Sequence, residues 1–222
     1  MIKSKVIVIT GVSRGLGRSL ALRYFQLGHQ IFCCSPNRIS PSPHLFYKQV
    51  NIVDAKAVSQ WAKEVLNNGP VDILVNNAGV ITSPVEFWKL PGKKFNSVID
   101  TNIKGTANVL RNFIPSMITH RKGMIINLLS GGAQRCISGS GAYNSSKWAL
   151  EGLTRTIAAE LPSGIGIVGL LPGATNTYML RKVAGNDALA YPAAAEWVNR
   201  AAPFILGLSH TQNGEILSVP ID

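Results

Sequence analysis

Tyr143 and Lys147 stand four residues apart in Gly141-Ala-Tyr-Asn-Ser-Ser-Lys147, and Ser130 precedes the tyrosine by thirteen residues. On an α-helix, a spacing of four puts phenol and ammonium on one face. Such a pair is a means of making a tyrosine acidic. A free phenol titrates near pH 10, and bringing it to about 7 takes roughly 4 kcal/mol of preferential stabilisation of the phenolate, which a close, poorly solvated ammonium can supply. A phenol tuned in this way can protonate a developing alkoxide, with a serine hydroxyl bonded to the same oxygen. The plainer alternative is a buried tyrosine and a solvated lysine that share a helix face by accident.

A second chemical feature lies near the start of the chain. Lys5-Val-Ile-Val-Ile-Thr10 is a run of β-branched residues that reads as a short buried strand, and it passes directly into Gly11-Val-Ser-Arg-Gly15-Leu-Gly17 and then a helical pattern beginning near Arg14. Gly11 permits a tight turn. Gly15 lets backbone approach a pyrophosphate, and Gly17 lets the helix pack closely on the strand. The helix N-terminus would then face the phosphates. The spacing differs from the common GxGxxG, and three glycines in one turn are also compatible with plain loop chemistry.

The elements that must position these residues alternate along the chain. Strand patterns occur at Val6 to Thr10, Gln30 to Cys34, Leu45 to Val50, Ile73 to Asn76, Met124 to Leu128, Gly166 to Leu171 and Ile216 to Val219, with helical patterns between them. This order predicts an α/β fold, a doubly wound parallel sheet of about seven strands with right-handed crossovers and helices on both faces. Ligands of such sheets bind beyond the carboxyl ends of the strands, where Thr10, Asn76 and Ser130 fall. The longest helical stretch, Phe95 to His120, carries Asn102 in its interior, where a polar side chain has little local reason to be. Capping or kinking is the other reading of that residue.

Composition narrows the function classes. The 222 residues, without a Ser/Gly-rich linker, a charge block or an internal repeat, read as a single α/β domain spanning 1–222. The chain opens almost directly on its first strand, with no signal-peptide pattern, and no apolar run approaches the roughly 20 residues that cross a bilayer, so a cytoplasmic protein without a membrane partner is expected. Net charge +11 suggests an anionic partner. No nucleic-acid motif accompanies it, and the phosphates of a dinucleotide account for it more simply than nucleic acid does. Lys93-Lys94 and Arg121-Lys122 read as solvated turns. Cys33, Cys34 and Cys136 lack metal-site spacing and read as buried free thiols. His29, His44, His120 and His210 are scattered, read as surface residues, and leave the expectation of no metal.

Taken in order, the Thr10 to Gly17 turn, Asn76-Asn-Ala-Gly79, Asn102, Ser130, Tyr143 with Lys147, and Pro172-Gly173 with Thr177 resemble the short-chain dehydrogenase/reductase family over nearly the whole chain. The resemblance implies a Rossmann-type fold and carbonyl reduction with a nicotinamide cofactor. It makes Asn102, Ser130, Tyr143 and Lys147 the catalytic residues. In these roles Tyr143 donates the proton, Ser130 binds the substrate oxygen, Lys147 acidifies the tyrosine and holds the nicotinamide ribose, and Asn102 holds a water that links Lys147 to solvent. Cofactor contacts carried over in the same way fall on Gly11, Ser13, Arg14, Gly15, Leu16, Gly17, Ser35, Arg38, Asn51, Ile52, Asn76, Ala78, Gly79, Pro172, Gly173, Thr175 and Thr177, besides Tyr143 and Lys147. A homodimer or homotetramer paired through Phe95 to His120 and Gly141 to Glu160 is also implied, although Val109, Phe113, Trp148 and Leu153 are equally suited to inward packing.

Cofactor choice follows from the end of the second strand. NAD-selective relatives carry an acid there, whereas this chain has Ser35, no acid between Met1 and Val53, and Arg14 and Arg38 nearby, which favours NADPH over NADH. The chain departs from the family at three places: Pro36 replaces a common arginine, Asn51 a common aspartate, and Leu129 a common serine. Thr10 to Ser19, Asp100 to Arg111 and Ser146 to Leu153 resemble plant-type NADPH-dependent pterin aldehyde reductases. That likeness implies an aldehyde or similar small carbonyl as substrate, with Trp148 and Tyr178 available to stack on a flat ring or to serve as ordinary packing. A short lid follows Thr177. An NADPH-binding redox sensor or scaffold with little catalysis is the other reading, and the intact Asn102, Ser130, Tyr143 and Lys147 speak for an enzyme.

Overall fold

The computed structural model describes residues 4–38 and 45–220, so the expectation for His44 lies outside the described residues. Seven parallel strands, β1 (Val6–Thr10), β2 (Gln30–Ser35), β3 (Phe46–Gln49), β4 (Ile73–Asn76), β5 (Gly123–Leu128), β6 (Ile165–Leu171) and β7 (Ile216–Ser218), form one sheet in the order β3-β2-β1-β4-β5-β6-β7. Each strand expected from the sequence is present, shifted by at most one residue at either end. The chain winds one way from β1 and the other way from β4, and a crevice opens between their carboxyl ends.

Alternation along the strands builds two cores. Ile7 and Ile9 point to the face covered by α1 (Gly15–Gln26) and α8 (Ala194–Gly207), where Leu20, Tyr24 and Trp197 are buried. Val8 points to the opposite face, onto α2 (Ala55–Leu66), α4 (Thr106–His120) and α6 (Gly141–Glu160). Because both faces are covered, the central strands read as unbroken apolar runs. Asp54 caps α2 by accepting from the amides of Lys56 and Ala57. On the second face Trp61 and Phe113 meet edge to face at 5.6 Å. Val109 and Phe113 are therefore core residues and leave the outer faces of the long helices to others.

The expected helix from Phe95 to His120 is three pieces. It begins earlier, as α3 (Gly92–Ile99), so Lys93 and Lys94 occupy a first helical turn, and it passes through a π-helical turn, Asp100–Gly105, into α4. Gly105 explains part of this, since a Cβ there would lie 2.7 Å from Ile52 Cγ1, so the turn after β3 seats directly on it. The remainder lies in the partners of Asn102 described below. Short helices α5 (Gly131–Gln134) and α7 (Tyr178–Ala184) flank the crevice.

Two smaller expectations fail. His29 is buried where the α1–β2 turn meets the start of β1, near the Tyr24 ring, and accepts a hydrogen bond from the Lys5 amide through Nδ1 at 3.3 Å. Cys136 is exposed, in the loop after α5, whereas Cys33 and Cys34 are buried on β2 as expected.

Candidate active site

The glycine turn is held by its neighbours on the sheet. Amides of Gly11 and Val12 both donate to the Cys34 carbonyl, at 2.8 and 3.2 Å, tying the end of β1 to that of β2. From the other side, Asn77 Nδ2 donates to the carbonyls of Thr10 and Gly11 at 2.8 and 2.9 Å, while Thr10 Oγ1 accepts from the amides of Asn77 and Ala78, each at 3.1 Å. This latch explains two glycines. A Cβ on Gly11 would lie 2.6 Å from Ala78 Cα, and one on Gly17 would collide with the Asn77 amide. Gly17 thus makes room both for Asn77 and for the Gly11 carbonyl just past the end of β1, 2.7 Å from where its Cβ would stand. Gly15, at φ +62°, has Thr177 Cγ2 as the nearest atom to such a Cβ, at 3.8 Å, and its flank is open. Ser13 and Leu16 are half-buried in the same turn.

Ser130, Tyr143 and Lys147 converge where β5 ends. Ser130 caps α5, its hydroxyl accepting from the Ala133 amide at 3.3 Å, and it also hydrogen-bonds Tyr143. Lys147 is buried on α6 with its ammonium 5.6 Å from the centroid of the Tyr143 ring, and it donates to the Leu128 carbonyl at 2.6 Å. Burial pushes the lysine down to about 8. Burial also raises the Tyr143 phenol above its ordinary value, opposed by the Ser130 hydrogen bond. The Lys147 ammonium is directed at the Leu128 carbonyl and destabilised by burial, so it lies beside the Tyr143 ring without a hydrogen bond to the phenol among the described residues. Leu129, in place of the common serine, is buried against Gly169, whose hydrogen it needs: a Cβ on Gly169 would lie 3.2 Å from Leu129 Cγ and nearer still to its methyl.

Asn102 has no free side-chain amide to offer a solvent path. Its Oδ1 accepts from the Val80 amide at 2.8 Å, and its Nδ2 donates to the Val80 carbonyl at 3.0 Å and to Ser146 Oγ at 2.9 Å. Polar side chains competing with backbone for hydrogen bonds disturb regular helix, and the π turn lies where this one reaches outward. A second buried chain runs from Asn76 Nδ2 to Asn127 Oδ1 at 2.8 Å, from Asn127 Nδ2 to Thr154 Oγ1 at 2.8 Å, and from Thr154 to the Leu150 carbonyl at 2.7 Å. It fixes α6 on the sheet. Asn76 therefore bridges β4 to Asn127 on β5, which reaches α6, and its Oδ1 is buried without a partner among the described residues. The sequence reading missed Asn77, Asn127, Ser146 and Thr154; the doubled asparagine and the serine before Lys147 were their only signals.

At the end of β2, Ser35 is buried and donates to the Asn37 carbonyl at 2.7 Å, with Tyr47 Oη 3.3 Å away. Its hydroxyl is thus engaged by the protein, while Arg38 is exposed just beyond. Asn51 Oδ1 accepts from the Val53 amide at 3.1 Å, and Ile52 is buried beneath it. Arg14 turns the other way, across the crevice, with its guanidinium 3.9 Å from the centroid of the Tyr178 ring on α7. Ala78 is packed at the glycine turn, and Gly79 passes close to Asn102 Oδ1. Beyond β6, Pro172 accepts from Trp197 Nε1 at 2.8 Å, Gly173 turns at φ +75°, and Thr177 caps α7 by accepting from the Leu180 amide at 3.2 Å. Thr175 Oγ1 is buried without a partner among the described residues. Lys182 Nζ donates to the Ile81 carbonyl at 3.0 Å, so α7 is strapped to the loop after β4. Trp148 and Tyr178 both have about half of their surface exposed, 49% and 57%.

Comparison with known proteins agrees with this geometry. The family model for short chain dehydrogenases matches residues 5–188. The chain is 37% identical to the NADPH-dependent pterin aldehyde reductase of Arabidopsis thaliana over 229 residues, covering 99% of this chain and 95% of that protein. It is 34% identical to a 3-oxoacyl-(acyl-carrier-protein) reductase of Staphylococcus epidermidis over 183 residues, 77% of this chain and 75% of that one. Among solved structures, the 3-ketoacyl-(acyl-carrier-protein) reductase from Brucella melitensis complexed with NADH shares the fold at a TM-score of 0.89 and 24% identity, covering 99% and 98% of the two chains. A sheet of this order, a glycine turn at its switch point and a serine, tyrosine and lysine converging at the end of β5 are thus found in a chain that belongs to the short-chain dehydrogenase/reductase family of NAD(P)-dependent oxidoreductases.

Proposed function

We propose that the protein reduces a small aldehyde or ketone to an alcohol at the expense of NADPH, with a pterin aldehyde or a similar flat heteroaromatic carbonyl as substrate. The convergence of Ser130, Tyr143 and Lys147 at the carboxyl end of β5 carries this reading. Three observations favour a dinucleotide beside them: the open flank of Gly15, the clear space around Gly173, and the unpartnered buried hydroxyl of Thr175. The turn from Gly11 to Gly17 would hold the pyrophosphate, Asn51 and Ile52 the adenine, and Lys147 the nicotinamide ribose, with Asn76, Ala78, Gly79 and the segment from Pro172 to Thr177 along its length. When bound, the dihydronicotinamide supplies the hydride.

The protein's own residues supply the rest. Tyr143 gives its phenolic proton to the carbonyl oxygen as negative charge develops there, and Ser130 donates a hydrogen bond to that oxygen. Lys147, drawn from Leu128 toward the ribose and the phenol, stabilises the phenolate left behind and so restores the acidity that burial opposes. With the Asn102 side chain engaged by Val80 and Ser146, the backbone of its π turn would hold the water that links Lys147 to solvent for proton refill. NADPH is favoured because no acid occurs in the sequence before Asp54, while Arg38 lies just beyond β2 and Arg14 stands in the glycine turn. The NADPH dependence named for the Arabidopsis relative supports the same choice. Exposed Tyr178, which opens α7, and Tyr191, beyond the turn that follows α7, offer stacking faces to a flat ring.

The chain is further proposed to act in the cytoplasm as a homodimer or homotetramer paired through α4 and α6. Exposed Ile118 and Trp148 take the surface role that the buried Val109 and Phe113 do not. Among the described residues no helix is long and apolar enough to cross a membrane. Initial rates with NADPH and NADH against a pterin aldehyde, simple aldehydes and diketones test the proposal. Reduction with a kcat/KM preference for NADPH is expected, and turnover of none of these, or equal use of NADH, would contradict it.

A further inference from the structure

Ser146 has no part in the reading above. It is fully buried, on the catalytic helix between Tyr143 and Lys147, and it is bonded on both sides. Its Oγ accepts from Asn102 Nδ2 at 2.9 Å and donates to the Tyr143 carbonyl at 2.7 Å. A hydroxyl on a helix commonly bonds back to its own preceding turn and does nothing further. Here the acceptor side of the same oxygen leads out of the helix. Asn102 grips Val80 through both amide and carbonyl. Val80 directly follows Asn76-Asn-Ala-Gly79, whose Asn77 latches the carbonyls of Thr10 and Gly11. Hydrogen bonds from the glycine turn to Asn77, the short backbone stretch from Asn77 to Val80, and hydrogen bonds through Asn102 and Ser146 thus link that turn to the backbone of Tyr143.

We propose that Ser146 is a positioning residue that fixes the height and rotation of the Tyr143 turn relative to the cofactor-binding turn. The proposal rests on Tyr143 being the proton donor. Farther along α6 the helix is tied to the sheet by Thr154, and near its start Tyr143 and Lys147 are tied by their side chains to Ser130 and Leu128, whereas Ser146 is what joins the Tyr143 backbone carbonyl to Asn102 and so to the loop that carries Asn77. Losing the hydroxyl leaves the Asn102 amide donor unpaired in the core and lets the Tyr143 turn shift. Misplacement of a reacting group by about 1 Å can cost about a hundredfold in rate. Contacts to the cofactor stay in place, so binding should suffer little.

Steady-state kinetics with NADPH and 4-nitrobenzaldehyde on Ser146→Ala, Ser146→Thr and Tyr143→Phe test this. The expected result is a kcat for Ser146→Ala lowered about 10- to 100-fold, with both KM values within about twofold of wild type and a moved midpoint in the kcat–pH profile, since the Tyr143–Lys147 separation changes. Ser146→Thr, which keeps the hydroxyl, should recover most of the rate. Should Ser146→Ala not fold, Ser146→Cys, which weakens the acceptor at similar volume, takes its place. A kcat near that of wild type, or a loss shared equally by the KM values and not rescued by threonine, while Tyr143→Phe is inactive, overturns the role of Ser146 alone. Full activity of Tyr143→Phe overturns the reading beneath it.

Discussion

Lys147→Met should make the cofactor-free protein more stable while abolishing its chemistry. The lysine is only 7% exposed, and burial has pushed its ammonium from 10.5 to about 8. At about 1.36 kcal/mol per pH unit, keeping it charged at neutral pH costs roughly 3 kcal/mol of folding free energy. Methionine fills similar volume without charge, and the loss of the donor to Leu128 returns about 1 kcal/mol, so a net gain of about 2 kcal/mol is expected, or about 4–8 °C in Tm. The pH dependence isolates the cause. Between about 8 and 10.5 the unfolded chain carries this proton and the folded one does not, so this residue's contribution to wild-type stability improves as pH rises through that window and its penalty is complete below it. Urea denaturation of both proteins without cofactor, at pH 7 and pH 10, measures the difference. The advantage of Lys147→Met should be present at pH 7 and gone or reversed at the higher pH. An advantage independent of pH, or a less stable variant at pH 7, would refute the assignment of a buried, destabilised ammonium.

Ser35→Asp should shift kcat/KM toward NADH and at the same time lower stability by about 2–4 kcal/mol, because the new carboxylate replaces a buried hydroxyl that donates to Asn37. A shift in cofactor preference with unchanged Tm would mean that the side chain turns outward. Thr154→Val should cost about 1–3 kcal/mol by leaving the Asn127 amide unpaired in the core, read by denaturant midpoint, with KM for NADPH almost unaffected.

The sheet was legible because strands buried on both faces must be continuous apolar runs, and β1, β4 and β6 are that. Tyr143 and Lys147 were legible as well, since their spacing brings them to one helix face, and Ser130 was legible through the family resemblance that sets it thirteen residues before the tyrosine. The break in the long helix was not. A π turn leaves no periodic trace, and Asn102 and Gly105 reveal it only once Ser146, Val80 and Ile52 are known to lie against them. Ser146 and Thr154 look in sequence like ordinary helical polar residues, and their burial depends on partners 44 and 27 residues away. The surroundings of Tyr143 were only partly legible for a related reason. Spacing says that an ammonium is near, but the direction in which Lys147 spends its hydrogen bond is set by the Leu128 carbonyl. Arg14 shows the same limit, with sequence placing it in the turn and Tyr178 determining which way it faces.

Single-turnover reduction of an aromatic aldehyde by the wild-type protein and by Tyr143→Phe, each preloaded with NADPH and followed at the absorbance of the reduced nicotinamide, tests the central claim most directly. Wild type should oxidise the cofactor in step with alcohol formation. Tyr143→Phe should bind NADPH with similar affinity yet react at least about a hundredfold more slowly, the loss ordinary for a missing general acid. A variant that reacts as fast as wild type would show that the proton comes from elsewhere.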